Sequence, residues 1–370
     1  MRTWWLLLLL LSPACGFADE PGSASRLSGL LNEENDAGFA KALTPRAFSF
    51  PRDHGPHPEF RNEWWYITGN LDGRGGRRFG FEITIFRFSL TPVPPVPDSD
   101  WRTNQVYIAH LAVTDADENR FYVAERASRG ALGLAGAHAE PLRVWIDDWE
   151  IVRETGGGPW RVRAADDEVS LDLELTPLRR PVLNGERGLS RKSSRVESAS
   201  YYYSITRLQT EGLLTIGGDE YRVSGLSWLD REWSTSALAD DQVGWDWFAL
   251  QLADGTDLML YNIRKNDGTA DANSSGTLSM ANGEAIQLQR DDFDIVVTGR
   301  WESPRGGAYP SGWTLRIPER NLELDVVPVI PDQELSTIVR YWEGAVDVTG
   351  SSGDERITGR GYVELTGYAD

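Results

Sequence analysis

The segment Asp53-His54-Gly55-Pro56-His57-Pro58-Glu59-Phe60-Arg61-Asn62-Glu63-Trp64-Trp65-Tyr66 gathers two histidines, two glutamates, an aspartate, an arginine and four aromatic side chains within fourteen residues. Buried charge must be paired, and a buried indole or phenol needs a hydrogen-bond partner. A stretch this polar and this aromatic is therefore expected to line a cavity. His54 and Glu63 are its candidate base or water-holding groups, and Trp64 and Tyr66 its candidate ligand contacts. Imidazole and carboxylate are ordinary zinc ligands, but Gly55, Pro56 and Pro58 keep Asp53, His54, His57 and Glu59 off any shared face, and only His110 and His138 remain elsewhere. No metal is expected. The plainer role for His54 is a hydrogen bond to a carboxylate that orders the loop.

Two further knots repeat the pairing of acid with aromatic. In Trp228-Leu229-Asp230-Arg231-Glu232-Trp233, an extended chain places Asp230 and Glu232 on one side and Arg231 on the other. The two carboxyls could form an acid–base pair tuned by burial; alternatively Arg231 bridges structural units by ion pairs to Asp246 or Glu63. In Trp245-Asp246-Trp247, a carboxyl held against indoles loses hydration and stays protonated near neutral pH. Such an acid suits protonation of an isolated carbon–carbon double bond, with aromatic faces stabilising the cation before water adds. For Trp247 and Trp65 the simpler expectation is a plug closing one end of a barrel. Trp228, Trp233, Trp245, Tyr203, Tyr261 and Trp342 complete the candidate ligand contacts. Half of the Tyr201-Tyr202-Tyr203 run must face away from any cavity. Ser227 and Ser234 lie near acids but lack a Gly-x-Ser-x-Gly elbow.

These groups must be carried by elements, and the composition says which kind. The 370 residues include 15 Trp, 12 Tyr, 12 Phe, 37 Gly and 19 Pro, which favours aromatic-rich β structure. The length allows about two domains. The formal charge is −19, or −20 for a chain starting at Asp19, since Arg2 is the one charged residue before it; nucleic acid is excluded as a partner for want of basic surface. Residues 1–18 read as a secretory signal, with Arg2 before an apolar run and small residues around Ala18. Cleavage before Asp19 competes with a lipoprotein reading at Cys15, the chain's single cysteine, so the mature protein is expected to be periplasmic or secreted, or anchored through Cys15. Neither reading leaves a disulfide or a cysteine metal site. No cofactor is indicated.

Residues 19–44 read as a linker with one weak helical turn. Beyond Pro45 short apolar strands alternate with Gly, Asp and Asn turns, as antiparallel hairpins require. There is also an internal echo: Trp65-Tyr66 is followed by Asp72-Gly73, Trp247-Phe248 at the same offset by Asp254-Gly255, and each turn leads into an apolar strand ending in Arg87 or Arg264. The reading is all-β, with two tandem antiparallel β-barrels side by side, 45–236 and 237–370, each wide enough for side chains or one small ligand.

The motifs Asp53-His54-Gly55-Pro56-His57-Pro58, Glu63-Trp64-Trp65-Tyr66, Trp228 to Ser234, Gly244-Trp245-Asp246-Trp247 and Tyr341-Trp342-Glu343-Gly344 resemble the AttH-like, lipocalin-like "predicted secreted hydrolase" family, itself distantly similar to carotenoid 1,2-hydratase. The resemblance spans about Phe48 to Tyr368. It implies two lipocalin-like barrels and, for many bacterial members, association with an ABC-transporter permease. Two functions follow as expectations. The first is an exported protein holding a hydrophobic or amphipathic small molecule in an aromatic-rich cavity. The second is a cofactor-free hydratase or isomerase of a polyene or terpenoid, with Asp246, Asp230 or Glu232 as acid and His54 or Glu63 as base.

Overall fold

A computed structural model describes residues 36–96, 98–235 and 238–369; the expected signal, Cys15 and residues 19–35 of the expected linker lie outside them. Residues 36–44 contain no helical turn. They dock on the first barrel with Phe39 and Ala42 buried, and the Ala40 N–H donates to the Glu59 carbonyl at 2.9 Å.

The first barrel is one antiparallel sheet of thirteen strands. Strand Asn62–Gly73 lies at its centre, paired on one side with Arg78–Ser89 and on the other with Asp219–Ser234. The sheet continues through Gln105–Asp115 to Arg120–Arg129 in one direction. In the other it runs through Ala199–Ile216, Val169–Pro177 and four shorter strands to Ala135–Ala139. Its margins meet where Arg126 lies 4.6 Å over the Trp149 ring and donates to the Ala165 carbonyl at 3.0 Å. The second sheet has ten strands, centred on Gln242–Leu252 between Asp257–Lys265 and Glu355–Leu365, with Arg340–Ser352 next. The protein is thus all-β, two lipocalin-like barrels packed side by side.

Alternation along each strand decides where side chains go. In Asn62–Gly73, Trp65, Ile67 and Leu71 enter a core shared with Trp149, Trp160 and Trp233. The second barrel is filled by Phe248, Trp313, Trp342 and aliphatic neighbours. Both interiors are packed with bulky side chains, Trp65, Trp149, Trp160 and Trp233 in the first and Phe248, Trp313 and Trp342 in the second, and the aromatic-lined cleft lies between the barrels instead. Trp64, Tyr66, Thr68 and Asn70 point the other way, towards the second barrel.

A third apolar cluster forms there, from Tyr66, Tyr202 and Trp228 of the first barrel and Trp247, Met259, Tyr261, Ala345 and Tyr362 of the second. Polar contacts fix the two sheets together: Asn70 Nδ2 to the Gly361 carbonyl at 3.0 Å, Gln251 Nε2 to the Thr206 carbonyl at 2.6 Å, and Arg207 Nε to Asp257 Oδ1 at 2.7 Å. Gly80 permits the close approach, since a Cβ there would sit 2.7 Å from the Ala345 side chain and from Tyr362 Oη.

The sequence echo locates two equivalent hairpins, but it does not preserve faces. Trp65 is a core residue of its barrel, whereas Trp247 faces outward and Phe248 takes the inward place. A shift of one residue reverses every side chain of a strand. Trp247 is therefore no barrel plug.

Candidate functional site

Between the barrels, beside the third cluster, lies a cleft with about 130 Å³ of free volume. Trp64, Phe86, Phe88 and Ile108 form its first-barrel wall; Trp245, Trp247, Tyr261 and Ile263 come from the second. Into this apolar lining project Asp230, Glu232, Glu343 and Glu364, with Lys192, Tyr202, His110 and Tyr341. The strand pairing explains the convergence: Tyr66 faces Asp230 and Trp64 faces Glu232 across one ladder, while Glu343 faces Glu364 across another. Each barrel contributes two acids.

The four carboxyls differ in their surroundings. Asp230 accepts three hydrogen bonds, from Tyr202 Oη and Ser204 Oγ, both at 2.5 Å, and from Trp228 Nε1 at 2.7 Å. Burial pushes its pKa up to about 7 against the pull of those donors, so it titrates in the neutral range. Glu232 is neutralised by Lys192 Nζ at 3.0 Å and accepts from Ser200 Oγ. Glu364 accepts from Trp245 Nε1 at 3.0 Å, and burial raises it to about 8. Glu343 accepts from Tyr66 Oη at 2.6 Å through Oε1, while its Oε2 is buried with no hydrogen-bond partner. Burial first, then the nearby Glu364 and Glu82, hold Glu343 well above the ordinary carboxylate range. An unpartnered buried carboxylate oxygen would be costly; a neutral acid with its proton on Oε2 fits the site.

The residues singled out in the sequence divide into three groups. Trp64, Tyr66, Asp230, Glu232, Trp245 and Tyr261 line the cleft, and Trp228 supports it through Asp230. Asp246 is buried beside the cleft, held by Tyr368 Oη at 2.9 Å and Arg264 Nε at 3.4 Å, and is not among its lining residues. His54, Glu63, Tyr203, Trp233 and Trp342 are elsewhere. Trp342 belongs to the second core, and Tyr203 and Trp233 to the first.

His54 and Glu63 sit in a closed polar network at one end of the first barrel. Glu63 accepts from Arg87 Nε, from Arg231 Nη2 at 2.8 Å and from the His57 N–H at 3.0 Å. Burial would raise its pKa, but Arg87, His57 and Arg231 together hold it below the ordinary carboxylate range. Arg231 thus ties strands of one barrel, through Glu63, rather than joining two barrels. His54 does not meet a carboxylate: its Nδ1 meets Tyr203 Oη at 2.6 Å and its Nε2 accepts from Arg153 at 2.9 Å. Burial, with Arg153 and Arg231, lowers its pKa to about 3. Its lone pair is already taken, which removes it as a base for the cleft. His57 stacks on Trp233 with ring centroids 3.7 Å apart. Among the described residues no group of three or more His, Cys, Asp or Glu side chains is placed to hold a metal ion.

Sequence reasoning missed Glu343, Glu364, Lys192, His110 and Tyr341 as site residues. Tyr341 and Glu343 had a legible signal, since positions i and i+2 of one strand share a face and both flank the core residue Trp342. Lys192 and Glu364 had none, because Glu232 and Trp245, their partners, are far from them in the chain and are brought up only by folding.

The chain belongs to the AttH-like family, whose profile matches residues 41–368. A crystal structure described as an AttH protein from Nitrosomonas europaea shares 35% identity, covering 89% of this chain and all of that one, with a TM-score of 0.80. Kievitone hydratase from Nectria haematococca has the same fold at 17% identity, covering 90% of this chain and 97% of its own, with a TM-score of 0.67. CghA crystallised with Sch210972 aligns over 90% of this chain and 97% of its own, at 12% identity and a TM-score of 0.51. No curated protein matches the chain by sequence.

Proposed function

We propose that the cleft between the barrels binds an apolar small molecule with a carbon–carbon double bond and that the protein adds water to it by acid catalysis, as a cofactor-free hydratase. The observation that carries this reading is Glu343: a buried carboxyl with one unpaired oxygen at the edge of an aromatic cleft, which burial holds well above the ordinary carboxylate range. In the reaction the Glu343 Oε2–H bond breaks and its proton bonds to one alkene carbon. The cation left on the other carbon faces indole and phenyl rings, which stabilise it. Water then forms the new C–O bond, releases a proton, and Glu343 is reprotonated. Oxidation states balance without a redox partner. Kievitone hydratase, alike in fold, supports the reaction class; CghA with Sch210972 supports the capacity of such a fold to hold a small organic molecule.

The apolar lining suits the hydrocarbon of a polyene or terpenoid. A panel of these, incubated with the protein in ¹⁸O-water and followed by mass spectrometry, is expected to yield a product heavier by one labelled water. Glu343→Gln should lose the product while retaining binding. Labelled product made equally well by Glu343→Gln would overturn the assignment.

A second reading is favoured by residues 1–18. An exported protein could hold the same class of molecule unchanged and pass it to an ABC-transporter permease, from the periplasm or from a Cys15 lipid anchor. Native mass spectrometry of protein from its own envelope separates the two. A defined apolar passenger, inert on incubation, would favour the carrier.

A further inference from the structure

We infer that Tyr341, His110 and Glu125 form a proton relay across the barrel interface, connecting the cleft to a solvent-facing groove on the other side of the histidine. This rests on the reading of the cleft as the reaction site. Tyr341 and His110 both line the cleft, and Tyr341 Oη lies 2.7 Å from His110 Nδ1. His110 Nε2 lies 3.1 Å from Glu125 Oε2. Glu125, with a side chain 20% exposed, borders a second groove lined by Phe121, Val123, Arg305, Glu334 and Thr337. His110 itself is 3% exposed, and its two ring nitrogens face opposite partners, Tyr341 on the cleft side and Glu125 on the groove side.

The direction of the bonds follows from chemistry. Glu125 also accepts the Ile338 N–H at 2.9 Å; burial would raise its pKa, but His110 and this N–H hold it below the ordinary range. A carboxylate only accepts, so His110 carries its proton on Nε2 and its Nδ1 accepts from the Tyr341 hydroxyl. Imidazole with this orientation is a base whose partner is a phenol in the cleft. Because Tyr341 and Glu343 are two residues apart on one face of Arg340–Ser352, their Cα atoms are about 6.6 Å apart at a strand rise of about 3.3 Å per residue.

The proton count of a hydration then closes. The attacking water gives a proton to Tyr341 Oη as the phenol proton moves to Nδ1, while Nε2–H passes to Glu125 and from there to solvent. In reset, a proton enters at Nε2, Nδ1–H returns to Tyr341, and the phenol proton passes through a water entering the cleft to restore Glu343. One proton leaves and one returns, with no change of oxidation state.

The test uses ¹⁵N-histidine NMR of the whole protein, with His110→Gln to assign His110 among the four histidines, and 2-naphthol as a neutral probe that becomes a strong acid on excitation. The expected results are an Nε2–H tautomer for His110, an Nδ1 resonance that moves in Tyr341→Phe, and naphtholate emission from bound probe. That emission should fall about tenfold or more in Tyr341→Phe and His110→Gln, with probe affinity held within about twofold, in line with the size of positioned proton transfer. An Nδ1–H tautomer, or an Nδ1 resonance unmoved by Tyr341→Phe, overturns the relay. Bound probe with unchanged emission in both variants also overturns it and leaves the cleft standing. Failure of the probe to bind while the tautomer is as expected refutes the cleft reading instead.

Discussion

Replacing Glu63 by Gln separates a structural role from the catalytic one that its sequence context suggested. Glu63 is fully buried, and so are its partners Arg87 and Arg231, at 1% and 0% exposed. Glutamine keeps the shape and one acceptor oxygen but removes the charge that both guanidiniums face. Arg231 keeps the Trp64 and Gly55 carbonyls at 2.6 Å, and Arg87 keeps the Phe60 carbonyl at 2.9 Å, so hydrogen bonds survive while charge compensation does not. Removing one partner of a buried pair costs about 3–5 kcal/mol. With a urea dependence of about 2 kcal/mol per M for a domain of this size, the first-barrel midpoint should fall by about 1.5–2.5 M. Urea unfolding followed by tryptophan fluorescence reads this, fitted with a separate transition for each barrel. Glu63→Gln with Arg231→Met should be less destabilised than the sum of the singles by about 1–3 kcal/mol. The affinity of N-phenyl-1-naphthylamine, a neutral apolar fluorophore, should change less than about threefold. A Glu63→Gln midpoint within about 0.3 M of the parent would refute the argument, because it would mean the two guanidiniums do not depend on this charge.

The pH dependence of stability should show two opposed limbs. Asp230, Glu82 and Glu364 are raised, to about 7, 8 and 8; the folded state then binds more protons, so stability falls as pH rises from the unfolded values near 4 to about 8. Glu63 and Asp53 are depressed, so their contribution is lost as pH falls below about 4. Thermal melts should therefore be highest at about pH 4–5, and a maximum above pH 7 would contradict the assignment. Trp245→Ala, which opens the cleft wall and frees Glu364, should weaken N-phenyl-1-naphthylamine binding by about 1–2 kcal/mol in a fluorescence titration, as expected for loss of one buried aromatic contact. Glu343→Gln should lower turnover of any hydrated substrate about 10²–10⁴-fold, the usual size of general acid catalysis, with little change in KM; a smaller loss would assign the acid elsewhere.

The sequence was most informative where a property is local. Period-two alternation and turn residues carried the all-β reading, and the repeated Trp-aromatic hairpin marked where each barrel begins. Alternation also placed Asp230 and Glu232 together and Arg231 opposite, which is how they lie. The polar segment from Asp53 to Tyr66 was conspicuous for a real reason, but its parts serve two purposes. Glu63 and Trp65 turn into the barrel, where charge is neutralised and indole is packed, and Trp64 and Tyr66 turn out into the cleft.

Tertiary packing decided the rest. The aromatic-rich composition filled both interiors with buried tryptophans and other large side chains. What sequence alone determined was the strand architecture and the outward or inward parity of residues within a strand. Which outward faces meet, and therefore that Glu343 and Glu364 join Asp230 and Glu232, that His54 is spent on Arg153, and that His110 reaches Tyr341 across the interface, follows only from docking one barrel on the other. The physical reason is that burial and partner choice set whether a carboxyl is a structural anion or a neutral acid, and both depend on surfaces far apart in the chain.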